Sequence, residues 1–519
     1  MVQAGSGRLG RDPIAIDGKF APADENVDLL IVGGGSAGMA AALKAARLGM
    51  QTILIDENPL DPVLMGMDVP FQFGQRATGV VQSRERLIGE LVQNDPAIAE
   101  AFEAGVDVRL ATTAWGCYVP SRQSQALAGI VVGVEDGRRS WMIGCKHLIL
   151  ATGARDLIVG FDGWDLPGVI GASALRLLID RYRACAVRRM VVLGSGDHAA
   201  VTALHAAAHG VEVAAVVAPG PLPLVSAQLR AEVAAAGIEL LVGHRIARAE
   251  GGAAGICRVA VEATDGATTR WIECDSVCLA IARTPNIELA ASTGARLEFD
   301  LAAGGWHPAH EAGRTSLARV QVVGDCAGLG WTPERSRAAA IAAFEGTDEP
   351  VLDIRSAADG PEVDTTFPSE WLAALGGPAY DDTLVCLCEG VSRRALLGAT
   401  PPRYLGAAFR AGEPLDEQRP NMDRRKRITR CGMGECQGRR CRDQATMLVA
   451  RATGAAPASI PQAAYRQPVR PLPLDVLMDG NETVAMRAHW TSWFGIHAQW
   501  VPHWLLGQAQ SDIGGDGHL

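Results

Sequence analysis

From Val27 to Val32 the chain is an apolar run of strand length, and Gly33, Gly35 and Gly38 follow it in G-x-G-x-x-G spacing. The segment from about Ser36 to Leu48 predicts a helix stopped by Gly49, and Thr52 to Ile55 predicts a second strand that delivers Asp56 and Glu57. Strand, turn, helix, strand and acid in register predict a dinucleotide site. The turn Gly33, Gly35, Ser36, Ala37 and Gly38 would admit a pyrophosphate at the helix N-terminus. Asp56 would accept from a ribose hydroxyl, with Glu57 as the fallback.

Further along, the pattern changes period several times. The stretch after Asp56 is rich in Pro, Gly and Met and reads as a loop around a cofactor. Ser83 to Ala104 predicts helix, Val106 to Leu110 strand, and Ala128 to Val134 with Arg139 to Gly144 a β-meander. The strand His147 to Leu150 then runs into Ala151, Thr152 and Gly153, small residues that let the chain pass close beside a nucleotide. A second strand, turn and helix starts at Met190, with Gly194, Gly196 and Ala199 in the fingerprint positions. Its next strand ends Val216, Val217, Ala218, Pro219, without an acid for a ribose or an Arg for a 2′-phosphate. This lobe is expected not to use NAD(P). His198 in its turn reads as a ligand contact or a structural polar residue. Ser276 to Ile281, Arg283 to Pro285 and Val320 to Val323, the last followed by Gly324 and Asp325, are assigned to the first lobe. Cys274 and Cys278 read as buried small hydrophobes.

Composition narrows the class. The chain has 519 residues, 48% hydrophobic and 20% charged, with a net charge of −10. That is soluble, globular and long enough for about three domains. The charge argues against nucleic-acid binding. The expected location is the cytoplasm, because no apolar run reaches membrane-spanning length and the N-terminus lacks a signal core.

Five of the twelve cysteines fall between Cys386 and Cys441. They follow a stretch rich in Asp, Pro and Gly from Gly346 to Asp382 that reads as a linker. Cys386-x-Cys388 and Cys436-x4-Cys441 offer four soft ligands, and Cys431 is a fifth candidate. The tight first pair favours iron and sulfide over a structural zinc, which stays open as the alternative. Arg427, Arg430, Arg439, Arg440 and Arg442 offer positive charge around them. The tail carries the proline-rich YRQPVRPLPLDVL, which must run over another surface, and then Trp490, Trp493, Trp500 and Trp504. These tryptophans suit a subunit interface or a clamp on the chain's own body.

The motifs GGGSAG, ILATGARD with FDGWDLPGV, VVLGSGD, VVGDCAG, CLCE, TRCGMGECQGRRC and YRQPVRPLPL together resemble one family, over about Val27 to Leu477. It groups the B subunit of hydrogen cyanide synthase, the A subunit of opine oxidase, and the alpha subunits of dye-linked proline and hydroxyproline dehydrogenases. The alpha subunit of heterotetrameric sarcosine oxidase is more distant. The resemblance implies an α/β, two-dinucleotide-binding flavoprotein of disulfide-reductase type with a small α-rich C-terminal iron–sulfur domain like bacterioferritin-associated ferredoxin. It places FAD on the first turn, on Ala151, Thr152 and Gly153, and on Gly324 and Asp325, the last compatible with a helix-capping role. It places a [2Fe-2S] cluster on Cys386, Cys388, Cys436 and Cys441. The expected domains are a leader at 1–26, an FAD domain at 27–165 and 275–350, and a second lobe at 166–274. A linker at 351–381, a cluster domain at 382–458 and a tail at 459–519 follow.

The expected activity is oxidation of an amine or amino acid within a complex. Its partners would be a second flavoprotein chain that oxidises the amine, together with a small ferredoxin-like chain. The alternative is a zinc-stabilised scaffold that binds FAD and docks a catalytic partner. Two departures bear on the substrate: the loop after Asp56 reads MGMDVPFQFGQR, and the tryptophan tail extends past the shared region. An NADH-dependent disulfide reductase is excluded, since it needs a closely spaced cysteine pair near the flavin and only solitary Cys117, Cys145, Cys185 and Cys257 occur there. No general base stands out among His307, His310 and Tyr118.

Overall fold

The structure is a computed structural model that describes residues 23–59, 76–120, 127, 129–220, 225–330, 367–375, 378–400 and 420–478. The four tail tryptophans, nearly all of the loop after Asp56 and most of the leader and linker lie outside these residues.

The strand Glu25–Val32 is central because Leu29 to Ile31 are fully buried and can be covered on both faces. It pairs in parallel with Thr52–Ile55 on one side and Ser140–Leu150 on the other. Asp107–Arg109 and Val320–Val322 extend the parallel part outward. The expected meander is present, with Ile130–Glu135 antiparallel to Ser140–Leu150, and Thr113–Tyr118 adds to the other edge of Ile130–Glu135. The helix Ser36–Arg47 packs its alanines on this sheet. The expected single helix from Ser83 is two, Arg84–Asn94 and Pro96–Glu103. Pro96 disfavours helical geometry at Asp95, so the first helix ends there.

The second lobe is a five-stranded parallel sheet in the order Glu239–Val242, Glu212–Ala218, Arg189–Leu193, Ser276–Leu279, Val169–Gly171. The sequence pattern assigns Ser276–Leu279 to the first lobe, but its register against Met190 to Leu193 puts it in the second. Both sheets use short apolar strands, so composition alone could not sort it. Cys274 and Cys278 are buried, as expected.

The C-terminal unit is small and largely helical, with Met422–Thr429 and Arg442–Thr453 around the two-stranded ribbon Leu384–Cys386 and Val391–Ser392. Its described apolar residues share a core with the second lobe. Val385, Leu396, Leu448 and Val449 continue the apolar cluster that contains Val191, Leu193 and Val217 of the second sheet. Inside the stretch read as linker, the helix Phe367–Ala374 buries Trp371 in that same cluster.

Charge fixes the join. Arg155, two residues past the AlaThrGly turn, donates to Glu288 Oε1 at 2.6 Å, Asn286 Oδ1 at 2.8 Å and Asp443 Oδ2 at 3.0 Å. Asp443 follows Cys441 by two residues. Trp164 Nε1 donates to the Leu384 carbonyl at 2.8 Å, and Gln444 joins the Gly160 amide to the Val385 carbonyl.

Removing the cation from such a buried group strands its carboxylates. Arg155→Met should therefore cost about 3–5 kcal/mol and lower the urea midpoint. Arg155→Met/Glu288→Gln/Asp443→Asn should recover part of the loss. An unchanged midpoint in Arg155→Met would contradict this role.

Candidate functional site

Between the two lobes lies a crevice of about 510 Å³. The first turn contributes Gly33 and Gly35, the strand end Asp56 and Glu57, and the second turn Ala151, Thr152 and Gly153. Asp325 lines the far side, with Arg283 and Arg470. The sequence-predicted residues thus converge from four segments. Ser36 is exposed at the helix start, while Ala37, Gly38 and Gly324 are buried.

The glycines divide by role. A methyl group at Gly38 would come within 1.9 Å of the Gly33 carbonyl oxygen, so Gly38 lets the helix lie close to the strand. At Gly35 a methyl group would meet nothing within 4 Å of protein, which leaves the helix N-terminus open to an anion. That open cradle fits a pyrophosphate.

Asp56 also serves the turn itself. Its Oδ2 accepts from the Gly34 amide at 2.5 Å, and its Oδ1 from the Asn58 amide at 2.7 Å and side chain at 2.9 Å. A carboxylate has roughly four acceptor positions, so one remains for a ribose hydroxyl. Glu57 is engaged by Arg470 Nε at 2.9 Å. Burial pushes the Glu57 carboxyl up, but Arg470 and Arg439 outweigh it and hold the group below its ordinary value. Asp325 is paired with Arg283.

Sequence reasoning missed Arg470, Arg283 and Arg155, because each acts across a long loop of chain. A local signal existed only for Arg470, an arginine between prolines in an extended segment. That segment does run over the first lobe, where the Val469 amide donates to the Trp115 carbonyl at 2.8 Å. His198 also reaches the crevice, with Nε2 3.7 Å from Asp156 Oδ1. His307 and His310 are committed to structure: His307 bonds Glu298 at 3.1 Å, and His310 bonds the Ala327 carbonyl at 2.9 Å. Tyr118 is half-buried and packs edge-on against Trp115.

In the second lobe, Trp371 donates through Nε1 to Ser195 Oγ at 3.1 Å, within the Gly194 to Gly196 turn. Glu370 lies against Gly220, just past the strand that lacks the acid.

The five cysteines come together in the C-terminal unit. Cys388 Sγ lies 3.7 Å from Cys386 Sγ and 3.6 Å from Cys436 Sγ. Two thiolates on one tetrahedral metal stand about 3.7 Å apart when the bonds are ~2.3 Å. Cys386, Cys431 and Cys441 form a triad within 4.8 Å. Cys431 therefore belongs to the constellation. Gly434 is required here, since a methyl group would approach Cys388 Sγ to 2.5 Å. Arg439, Arg440 and Arg442 are buried beside the thiols, whereas Arg427 and Arg430 are exposed and Arg430 pairs with Glu389 at 2.6 Å. Arg439, three residues past Cys436, brings its charge next to Glu57 and Arg470 at the crevice.

This chain belongs to the pyridine nucleotide-disulphide oxidoreductase family, which it matches over residues 27–346. Residues 415–481 match the sarcosine oxidase A3 domain. It is 27% identical to the A subunit of opine oxidase from Agrobacterium tumefaciens over 480 residues, covering 86% of this chain and 90% of that protein. It is 25% identical to the alpha subunit of sarcosine oxidase from Rhizobium meliloti, covering 88% of this chain but 42% of the relative. L-proline dehydrogenase from P. horikoshii shares the fold, with a TM-score of 0.56 at 20% identity over 88% of this chain and 81% of that one. The expected family resemblance and fold class are thus met.

Loss of the Glu57 partner gives a pH-dependent effect. Arg470→Leu should destabilise the protein by about 1.5–3 kcal/mol at pH 7, the range for hydrogen bonds to charged groups. Glu57 is held below its ordinary 4.5. The pair therefore contributes fully above that pH, and the contribution fades as pH falls through the lowered value. Urea unfolding should show the gap between wild type and variant constant above the ordinary carboxylate value and narrowing as pH falls below it. An equal gap on both sides of that value would contradict the assignment.

Proposed function

We propose that the chain is the flavin- and iron–sulfur-bearing redox subunit of a heteromeric dehydrogenase or oxidase acting on an amino acid or secondary amine. Opine, proline, hydroxyproline, sarcosine and glycine types define the substrate class. The observation that carries this reading is the docking of the cysteine loops against the wall of the nucleotide crevice, through Arg155 to Asp443 on one side and Arg439 beside Glu57 and Arg470 on the other.

In this reading FAD occupies the crevice. Gly35 and the helix start hold its pyrophosphate, Asp56 its ribose, and Asp325 its ribityl chain, while Ala151, Thr152 and Gly153 pass beside it. Gly38 and Gly324 permit the close packing that shapes the turn. A [2Fe-2S] centre would be held by Cys386, Cys388, Cys436 and Cys441. FAD supplies a two-electron acceptor and the cluster a one-electron carrier, which turns an amine oxidation into single-electron output. The chain's own part is to fix both sites on one rigid body. Buried Arg440, with Arg439 and Arg442 beside the loops, offsets the negative charge of four thiolates.

Opine oxidase and sarcosine oxidase are both built from several subunits, which supports two partners here: a second, amine-oxidising flavoprotein and a small ferredoxin-like chain. The reading keeps the chain in the cytoplasm, where free thiols such as these twelve stay reduced. Among the described residues no helix is long and apolar enough to cross a membrane.

One observation favours the zinc-stabilised alternative: Cys386, Cys431 and Cys441 stand close enough to share a single metal. Metal analysis separates the two. The proposal expects about two iron and two labile sulfide per chain with one FAD, retained in Cys431→Ser and lost in Cys388→Ser or Cys436→Ser. One zinc per chain, with metal lost in Cys431→Ser, would favour the scaffold. Gly35→Val should lose flavin while keeping its fold, because no protein atom is near. Retention of flavin by Gly35→Val would remove the crevice from the account.

A further inference from the structure

Away from the crevice floor and the cysteine loops, three metal-ligand side chains meet on the second lobe. His205 lies near the end of the helix Asp197–Ala208 and His209 at its C-cap. Their spacing of four puts both imidazoles on one face, with ring centroids 4.5 Å apart. Asp180 comes from Leu177–Arg181, a π-helical stretch, a rare geometry that re-aims side chains and recurs at functional sites. One ligand atom from each of the three lies within 4.8 Å of the other two.

We propose that Asp180, His205 and His209 bind one divalent cation of the zinc type in a two-histidine, one-carboxylate site. His205 Nε2 and Asp180 Oδ1 are 2.9 Å apart. Two ligands sharing a tetrahedral metal at ~2.1 Å stand about 3.4 Å apart, so a shift of about half an ångström suffices. The 2.9 Å approach is not an aligned hydrogen bond: His205 Nε2 is buried and makes none. A cation in the ring plane would satisfy it.

The outer contacts are those that orient metal ligands. His209 Nδ1 bonds the His205 carbonyl at 2.8 Å. With the proton on Nδ1, Nε2 keeps the lone pair a metal needs. Asp180 Oδ2 faces Arg176 Nε at 3.8 Å, which leaves Oδ1 for the cation. A donor set of two imidazoles and one carboxylate suits zinc, cobalt, nickel or copper rather than calcium or magnesium, and it contains no thiolate. The cation would be chemically distinct from anything on the cysteine loops. Asp180 also lines the crevice, so the bound cation would tie that wall to the helix carrying His198.

The test uses holoprotein with its iron in place. After incubation with zinc chloride and desalting, wild type should retain about one zinc more per chain than His205→Ala/His209→Ala, as a three-ligand site requires. Asp180→Asn should weaken zinc binding at least about tenfold by calorimetry. Iron content and the visible spectrum of the double histidine variant should match wild type. Equal zinc retention in wild type and the double variant would overturn the proposal. So would extra zinc that disappears in Cys388→Ser but survives loss of both histidines.

Discussion

Arg155 is held between Glu288 and Asp443 where little water reaches it, and the placement of the C-terminal unit depends on that cation. The strand that follows the AlaThrGly turn delivers it, the helix after the clustered cysteines delivers Asp443, and Glu288 comes from the return of the chain into the first lobe. Burying a guanidinium is costly unless its donors are met, and here the two terminal nitrogens meet two carboxylates and an amide. The consequence is positional. A C-terminal unit whose described apolar residues share the core of the second lobe is placed against the nucleotide crevice, and packing of Val385, Leu448 and Val449 then secures it.

The same logic runs through the second contact. Glu57 stands one residue beyond the acid that closes the first Rossmann unit, and it draws Arg470 from the proline-rich segment back over the crevice. Arg439 lies between this pair and the cysteine loops. Charged side chains therefore bridge the two sites where a flexible linker would have let them drift. The second lobe, with Trp371 against its glycine turn, gives the C-terminal unit an apolar platform.

What could be read in the residues follows the range of the interactions. Gly33, Gly35, Gly38 and Asp56 were legible because their spacing is local: the three glycines fall within one strand-to-helix turn, and the acid follows the next strand directly. Ser276–Leu279 falls in the other sheet from the one its composition suggests, because which parallel neighbour a buried apolar strand finds is decided by the intervening fold. The helix around Trp371 was hidden in a segment whose composition reads as linker. The four cysteines were visible by spacing, while the place of Cys431 depended on how the loop folds at Gly434. Arg155, Arg283 and Arg470 left almost no trace, since their partners lie 42 to 413 residues away.

In the proposed reading one chain holds a flavin and an iron–sulfur centre in fixed relation, so that electrons pass inside it. Flash photoreduction of the flavin in anaerobic holoprotein, followed at cluster wavelengths, tests this most directly. The account predicts that the cluster bleaches as the flavin reoxidises, with a rate constant independent of protein concentration. A rate that rises in proportion to concentration, or a cluster that stays oxidised beside a reduced flavin, would contradict it.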